Sequence, residues 1–158
     1  MIFVTLGSQK FQFNRLLVEI DELIEQGKLS DDVFAQIGYS DYIPKNYEYK
    51  KFLDREEFAK KEENSDIVIT HGGTGAIMGA LKNSKKVIAV PRLAKYGEHV
   101  DDHQIQLIKQ FKENNLILSV FNLDNLGNTL KEIKSHHFNS YKSNTNVIID
   151  SIDKFIRG

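Results

Sequence analysis

The sequence DIVITHGGTGAIMGALKNSKKVIAVPRLAKYGEHVDDHQ, residues 66–104, decides the fold of this chain. It contains two short apolar runs, 67–69 and 87–90, that are rich in β-branched residues, as strands buried on both faces of a parallel sheet are. The segment 75–82 between them has the length of a helix. The stretch therefore predicts a strand–loop–helix–strand unit, with the loop 71–75 at the carboxyl end of the first strand.

This loop, His71-Gly72-Gly73-Thr74-Gly75, carries three glycines within four positions. Glycine lets a backbone adopt positive φ and approach a ligand closely, and the free N–H groups at the start of a helix attract an anion. The loop is therefore a candidate cradle for a diphosphate. The alternative is that its glycines only let the helix pack tightly on the sheet. The loop is not a Walker loop, and it lacks the full dinucleotide-binding glycine spacing.

Length and composition limit the class of protein. The chain has 158 residues, of which 41% are hydrophobic and 27% charged, as expected of one globular domain with one core. A formal net charge of −1 provides no basic surface, so we expect no nucleic-acid partner. The absence of cysteine excludes disulfides and thiolate metal sites, and it fits a cytoplasmic protein. No apolar run reaches about 18 residues, so any membrane contact should be peripheral.

The rest of the chain extends the same alternation of strands and helices. Further strands are predicted at 2–6, at 33–38, shortly before Phe52 and at 116–120, and further helices at 13–24, 54–64, from about 101, from 122 and at 147–156. We therefore predict that residues 1–158 form a single Rossmann-like α/β domain, with a parallel sheet flanked by helices.

Aromatic residues are dense in the segment 39–52. Such density suits either the edge of the core or a surface for a partner. Because aromatic side chains are commonly at least partly buried, the core is the preferred interpretation.

Polar residues follow the predicted strands at the end of the sheet where open α/β folds bind ligands. They are Ser8, Gln9, the loop 71–75, Arg92, Glu98, His99, Asp101, Asp102, His103 and Gln104. Backbone N–H donors with few fixed cations, and several side chains that can bind hydroxyl groups, suit a phosphorylated ligand that carries a sugar. For Ser8 and Gln9, ordinary turn chemistry is the competing interpretation.

A metal site is the alternative use of these polar residues. His99 and His103 are four residues apart, a spacing that places two imidazoles on one face of a zinc-binding helix. The spacing spans the predicted helix start, however, and Val100 stands where zinc proteases carry a glutamate. We therefore expect no metal ion. Since no serine nucleophile elbow is present and no acid/base pair is fixed by spacing, no catalytic residue is assigned.

Three motifs, HGGTGAI (71–77), KKVIAVPR (85–92) and GEHVDDHQ (97–104), closely resemble the glycosyltransferase family 28 C-terminal domain. The likeness is strongest to its short, stand-alone members of the Alg13 type and their bacterial capsule or exopolysaccharide counterparts. It covers nearly the whole chain, because VTLGSQ (4–9) and FLDREEFAKKEENSDIVITHGG (52–73) are also similar to that domain. The resemblance implies the C-terminal half of a GT-B glycosyltransferase, which is the half that holds the nucleotide sugar.

Such a half implies a partner. The resemblance predicts an Alg14-like, membrane-anchored subunit that keeps this cytoplasmic chain peripheral at the inner face of the membrane. Together the two would transfer a hexosyl or N-acetylhexosaminyl group from a UDP-sugar to an undecaprenyl-diphosphate-linked sugar in exopolysaccharide or capsule synthesis. No cofactor is implied, because helix N-termini and polar side chains stabilise the departing UDP. The alternative is a non-catalytic module that stabilises or activates a membrane-bound partner.

The resemblance also implies the donor-site residues. The turn that touches the donor matches Ser8 and Gln9, and the segment whose backbone contacts the uracil matches Phe52 and Leu53. The phosphate and ribose side of the site matches His71, Gly72, Gly73, Thr74 and Gly75. The motif that holds the donor sugar or ribose matches Asp102, His103 and Gln104. Arg92 and Glu98 complete the predicted set. The acid/base residue of such relatives belongs to their other domain.

One position departs from the family pattern. Peptidoglycan relatives carry a ribose-binding glutamate where this chain has Gly79. Ribose recognition is therefore expected to come from another residue, for which Glu98 is the candidate, or to be weaker in the isolated chain.

Overall fold

The computed structural model describes residues 1–7, 10–98 and 102–139. The strands in this part of the chain are β1 (Ile2–Thr5), β2 (Val33–Gln36), β3 (Glu48–Lys50), β4 (Ile67–Thr70), β5 (Lys86–Ala89) and β6 (Leu118–Ser119). The α-helices are α1 (Asn14–Glu25), α2 (Arg55–Glu63), α3 (Thr74–Lys82), α4 (Asp102–Glu113) and α5 (Leu126–Ser135), and 3₁₀ turns occur at Ala94–Tyr96 and Leu123–Asn125. No helix among these residues is long and apolar enough to cross a bilayer.

The six strands form one parallel sheet in the order β3-β2-β1-β4-β5-β6. β1 and β4 are neighbours at its centre, with Ile2 opposite Ile67 and Thr5 opposite Thr70. The chain builds one side of the sheet from β1 and then returns at β4 to build the other, so the strand order reverses between these two strands. The prediction of a Rossmann-like α/β domain with a parallel sheet flanked by helices is confirmed. In such sheets, ligands bind outside the carboxyl ends of the strands at the reversal point.

Two apolar cores lie on opposite faces of the sheet. Val4 of β1 and Ile69 of β4 share one core with apolar residues of α1 and α5. Val68 of β4 belongs to the other core, with residues of α3 and α4. On that second face, the ring of Phe3 packs edge-on against Phe58 of α2, with ring centroids 5.1 Å apart. The central strands are thus buried on both faces, which explains why their sequences are continuous apolar runs rather than alternating ones.

Most predicted element boundaries hold to within a few residues. The Asp54 carboxylate caps α2 by accepting a hydrogen bond from the Glu57 N–H at 2.8 Å. β2 is shorter than predicted and ends at Gln36, two residues before Gly38, which has a φ of +58°. β6 is also shorter, because this edge strand pairs with β5 alone. The predicted helix at 147–156 lies outside the described residues.

The aromatic segment 39–52 is only partly in the core. Tyr42 and Tyr47 are half-buried, and both hydroxyl groups are hydrogen-bonded within the domain. Tyr39 and Phe52, in contrast, are 52% and 42% exposed and contact each other edge to face, with ring centroids 5.2 Å apart. The expectation of core burial is wrong for these two rings. They follow β2 and β3 at the side of the sheet where β3 has no further strand to cover it.

Candidate functional site

The loops that follow β1 and β4 meet at the carboxyl end of the sheet, at the reversal point. His71 follows β4 directly, and its N–H donates to the Thr5 carbonyl of β1 at 3.4 Å. Its imidazole lies between the two loops. A Cβ placed on Gly7 would be 2.8 Å from the ring Cε1, and one placed on Gly73 would be 2.7 Å from Nε2. Positions 7 and 73 therefore require glycine: the His71 ring occupies the space between the loops that a side chain would need.

The remaining loop glycines have different surroundings. Gly72 adopts φ of +95°, and a Cβ there would overlap the Ile108 side chain of α4. Gly75, in contrast, has no atom of the described residues within 4 Å of the place where a Cβ would be, apart from its own chain neighbours and helix backbone. Packing within the domain thus explains Gly72 and Gly73, as the alternative interpretation of the loop proposed. Gly75 keeps the start of α3 open.

The first turn of α3 presents backbone N–H groups to this open space. Gly73 is the N-cap residue of the helix and has no side chain, so no side-chain cap covers the helix end. The first turn contains no acidic residue either. The initial N–H groups of an α-helix have no partner within the helix, and the helix dipole adds partial positive charge there. The geometry is that of a binding site for an anion.

The imidazole beside this helix start is neutral at pH 7. Burial, together with the nearby positive charge of Arg92, lowers the pKa of His71 to about 4. The ring Nδ1 lies 3.5 Å from the Thr70 hydroxyl oxygen. A neutral ring offers one N–H and one lone pair but no charge. The attraction for an anion at the helix start therefore comes from backbone groups rather than from His71.

Arg92 holds the loop that follows β1. Its side chain is only 1% exposed, and Nη2 donates to the carbonyl groups of Leu6 and Phe11 at 3.0 and 3.2 Å. Burial lowers the pKa of the Arg92 guanidinium from its usual value. The side chain predicted to touch the donor thus has partners inside the domain, and it fixes the position of one of the two loops.

Glu98 is likewise enclosed. Its carboxylate accepts hydrogen bonds from Nε and Nη2 of Arg15, both at 3.0 Å, and from the Leu93 N–H at 2.9 Å. The residue is 0% exposed. Because the carboxylate is enclosed in this way, it offers no open acceptor to a ribose. Glu98 therefore holds the loop after β5 in place, and it does not make the ribose contact that was expected of it.

A cleft of about 470 Å³ opens beside the helix start, between α2 and α3. Its floor and walls are formed by Thr5, Gly7, Gln36, Phe58, Glu62, His71, Gly75, Ala76 and Gly79. Gly79 leaves one wall open, since a Cβ there would have no atom within 4 Å in the described part of the chain, outside its chain neighbours and its own helix backbone. The anion-binding helix start and this cleft form one continuous candidate site at the reversal point of the sheet.

The remaining predicted residues fall on the same side of the sheet where the structure describes them. Phe52 and Leu53 lie between β3 and α2, beyond the carboxyl end of β3. Asp102, His103 and Gln104 open α4, in the connection that follows β5. His103 is exposed and Gln104 is half-buried. Ser8 and Gln9, the predicted donor-touching turn, lie outside the described residues.

A model of the glycosyltransferase family 28 C-terminal domain matches residues 1–156 of the chain. The chain belongs to this family. The family 28 domain is also similar in fold to three solved glycosyltransferases. They are the calicheamicin glycosyltransferase CalG4 (TM-score 0.62, 15% identity), the glycosyltransferase of kitacinnamycin (0.64, 18%) and MurG of Acinetobacter baumannii (0.59, 18%).

These matches cover 99%, 99% and 84% of this chain but only 36%, 38% and 41% of the other chains. The family 28 domain thus spans about two fifths of the length of these enzymes. None of the curated proteins that were searched matches the sequence. What the likeness establishes is the fold.

Sequence reasoning missed two polar residues of the family 28 domain that line the cleft. Gln36 ends β2 and is 7% exposed, and Glu62 of α2 is 5% exposed. Gln36 gave a signal, because an amide side chain at the end of an apolar strand run is a departure from the pattern. Glu62 gave none, since it stands in the charged run 60–63, which has the composition of a solvated helix face.

No group of three His, Asp or Glu side chains in residues 1–7, 10–98 and 102–139 is placed to hold a metal ion. His99, one half of the alternative metal pair, lies outside those ranges.

Proposed function

We propose that this chain is the donor-binding subunit of a two-chain glycosyltransferase of the Alg13 type. It binds a UDP-sugar, and an Alg14-like, membrane-anchored partner supplies the acceptor half and holds the chain at the inner face of the membrane. The pair transfers a hexosyl or N-acetylhexosaminyl group to an undecaprenyl-diphosphate-linked sugar in exopolysaccharide or capsule synthesis. The observation that carries the donor-binding part is the uncapped start of α3, open at Gly75, at the reversal point of the sheet.

The chemistry of the transfer favours this placement of the diphosphate. When the bond between sugar and diphosphate breaks, the departing UDP gains negative charge. Backbone N–H groups held rigidly at a helix start stabilise that charge without having to reorganise. The neutral His71 ring keeps the two loops at a fixed separation, and buried Arg92 fixes the loop on the other side. The residues around the cradle thus position the donor, while the acid/base residue belongs to the partner.

An acceptor site outside this domain is supported by the share of the solved enzymes that the domain matches. The domain matches about two fifths of each solved enzyme, and GT-B enzymes place their acceptor in a second domain. The exposed pair Tyr39 and Phe52 lies at the same carboxyl edge of the sheet as the donor site. Exposed aromatic rings are enriched where proteins bind one another, so we propose that this pair helps to dock the partner.

A non-catalytic accessory module is the second candidate. Two observations favour it: Gly79 replaces a ribose-binding glutamate of peptidoglycan relatives, and the Glu98 carboxylate is enclosed by Arg15 and Leu93. In that case the chain would fold and bind its partner but would not bind UDP.

Calorimetric titration with UDP and UDP-sugars, in buffer with a chelator, separates these two functions. Two variants at Gly75 sharpen the test, because a side chain there meets open space and the fold should tolerate it. Gly75→Asp places a carboxylate at the cradle and should abolish binding of UDP, whereas the neutral, nearly isosteric Gly75→Asn should keep most of it. Equal affinity of both variants and the original chain would place the diphosphate elsewhere.

If the isolated chain does not bind UDP, the same titration on the co-expressed pair decides between the two functions. Saturable binding by the pair supports a donor site that the partner completes. Lack of binding by the pair supports the accessory module.

A further inference from the structure

A second cavity lies at the carboxyl edge of the sheet, and it shares no lining residue with the cleft beside α3. Its walls are one face of α1 (Arg15, Val18 and Glu19), the loop after β5 (93–96) and the loop after β6 (121–124). We call this cavity the α1 groove. Its volume is about 610 Å³, within the range of roughly 300–1,000 Å³ that sites for small ligands occupy. The groove is thus large enough for a ligand of its own.

The Glu19 side chain lines the α1 groove without a partner. The residue is half-buried, and its carboxylate makes no hydrogen bond or ion pair with the described residues. Burial, together with the charges of Glu22 and Asp124, raises the pKa of the Glu19 carboxyl above its usual value. The domain therefore removes water from a carboxylate and supplies no donor in return. A ligand hydroxyl in the groove can supply it.

Arg15 brings hydrogen-bond donors to the same groove. Its Nε and Nη2 atoms donate to the Glu98 carboxylate, at 3.0 Å each, and its guanidinium lies over the Tyr96 ring, 4.6 Å from the centroid. These contacts fix the plane of the guanidinium. Its Nη1 atom makes no hydrogen bond within the described part of the chain. The N–H groups on that atom therefore remain for an acceptor in the groove.

The charges around the α1 groove are balanced. Arg15 and Lys95 are its cations, and Glu19 and Asp124 are its carboxylates. An anionic ligand would be repelled by the carboxylates, and a cationic ligand would be repelled by the cations. A neutral hydroxyl group both donates and accepts, so a ligand with several hydroxyl groups can use all four side chains. Phe121, half-buried in the same wall, adds apolar surface for the C–H groups of a sugar ring.

We propose that the α1 groove binds a neutral saccharide, with Glu19 and Asp124 accepting hydrogen bonds from its hydroxyl groups and Arg15 donating to its oxygen atoms. The groove opens at the same edge of the sheet as the donor site, but on the face that carries α1 rather than α3. It therefore provides a place for a second sugar, separate from the one attached to UDP. The saccharide is either part of the lipid-linked acceptor, an identification that rests on the proposed function, or a free glycan.

A heteronuclear NMR titration of the chain tests the site without UDP and without the partner. The probes are methyl β-glucoside, methyl β-galactoside and methyl N-acetyl-β-glucosaminide. At millimolar concentration, at least one of them should shift the amide signals of residues 15–19, 93–96 and 121–124 in a saturable way. The signals of residues 74–79, at the donor site, should stay in place.

Two glutamate variants of α1 show whether the carboxylate in the groove makes the contact. Glu19→Ala should weaken the binding of the glycoside about tenfold, because it removes a charged hydrogen-bond acceptor. Alanine suits a helix, and Glu19 has no partner to lose, so this variant should fold. Glu22→Ala, the same change at an exposed position one turn further along the helix, is the matched control and should leave the affinity unchanged.

Calorimetry of the co-expressed pair identifies the source of the saccharide. The probe is the farnesyl-diphosphate-linked form of the sugar whose methyl glycoside binds. If the groove holds the acceptor sugar, Glu19→Ala should weaken this probe about tenfold as well. If the variant weakens the methyl glycoside but not the lipid-linked form, the saccharide site stands and its occupant is a free glycan.

The remaining outcomes overturn the inference. No shift of the groove signals with any of the glycosides would do so, as would equal affinity of Glu19→Ala and Glu22→Ala. Protection of the groove amides by the partner subunit, without any effect of a glycoside, would make the groove a contact between proteins instead. None of these results depends on the donor site. Lack of UDP binding refutes the proposed function and leaves a saccharide site in place, whereas UDP binding without glycoside binding refutes this inference alone.

Discussion

Acidification should destabilise the domain through His71. The folded protein holds this imidazole between Gly7 and Gly73, where burial and the charge of Arg92 lower its pKa from 6.5 to about 4. Between these two values, the unfolded chain binds a proton that the folded chain does not bind. Folding stability therefore rises with pH through this window, and it is lost as the pH falls from about 6.5 towards 4.

The size of the effect follows from the two pKa values. For a single site with pKa 6.5 in the unfolded chain and about 4 in the folded chain, linkage costs roughly 0.2 kcal/mol at pH 7 and roughly 2 kcal/mol at pH 5. The free energy of unfolding should thus drop by about 2 kcal/mol between these pH values because of His71 alone. A loss of this size is a large fraction of the stability of a typical domain.

Urea denaturation at pH 5, 6 and 7 measures this loss, and His71→Gln provides the reference. Glutamine is uncharged at every pH, so the variant keeps the titration of all other groups and lacks only that of the imidazole. Whatever its overall stability, the variant should lose about 2 kcal/mol less free energy of unfolding than the unmodified chain loses from pH 7 to pH 5. Parallel curves for the two proteins would show that burial between the loops does not lower the pKa of His71 in the folded state.

Two further predictions concern the loops around the site. Gly73→Ala should destabilise the domain by roughly 1 to 3 kcal/mol, because the new Cβ would lie 2.7 Å from Nε2 of His71. Gly75→Ala should be neutral or stabilising by up to about 1 kcal/mol, since its Cβ meets open space in a helix. Urea denaturation compares the two variants, and equal losses of stability would contradict this difference. Arg15→Met should cost about 3 kcal/mol because it leaves the fully buried Glu98 carboxylate without its cation. The double variant with Glu98→Gln should recover part of that loss, and an additive loss would argue against coupling of the pair.

The sequence predicted the architecture because the signals for it are local. Apolar runs rich in β-branched residues at 67–69 and 87–90 indicate strands covered on both faces, and the helix-length segment between them indicates a parallel crossover. Once the strands are parallel, the loops that follow them must lie at one edge of the sheet. The glycine-rich loop, and the polar connections where the structure describes them, therefore lie at the edge of the sheet that the sequence predicted.

The roles of individual site residues depend on tertiary packing, which the sequence does not show. The loop glycines were read as an adaptation to a ligand, yet Gly73 is required by a ring two residues away in the same chain. Arg92 and Glu98 were assigned to the ligand because they follow a predicted strand at the ligand-binding end of the sheet, yet both are fully enclosed by the loops that they support. A charged side chain in a loop beside a binding site can thus hold the loop in place instead of contacting the ligand.

Gln36 and Glu62 illustrate the opposite error. Each stands in a segment whose composition has an ordinary explanation, a strand end for Gln36 and a charged helix for Glu62. Only the packing of α2 beside α3 brings them to one cleft. The chain has no carboxylate at position 79 on α3. It nevertheless has one that faces the cleft, because the Glu62 side chain reaches this space from the neighbouring helix α2. In an α/β domain of this kind, the loss of a binding residue from one helix is therefore weak evidence that the site is inactive, until the facing helix has been inspected.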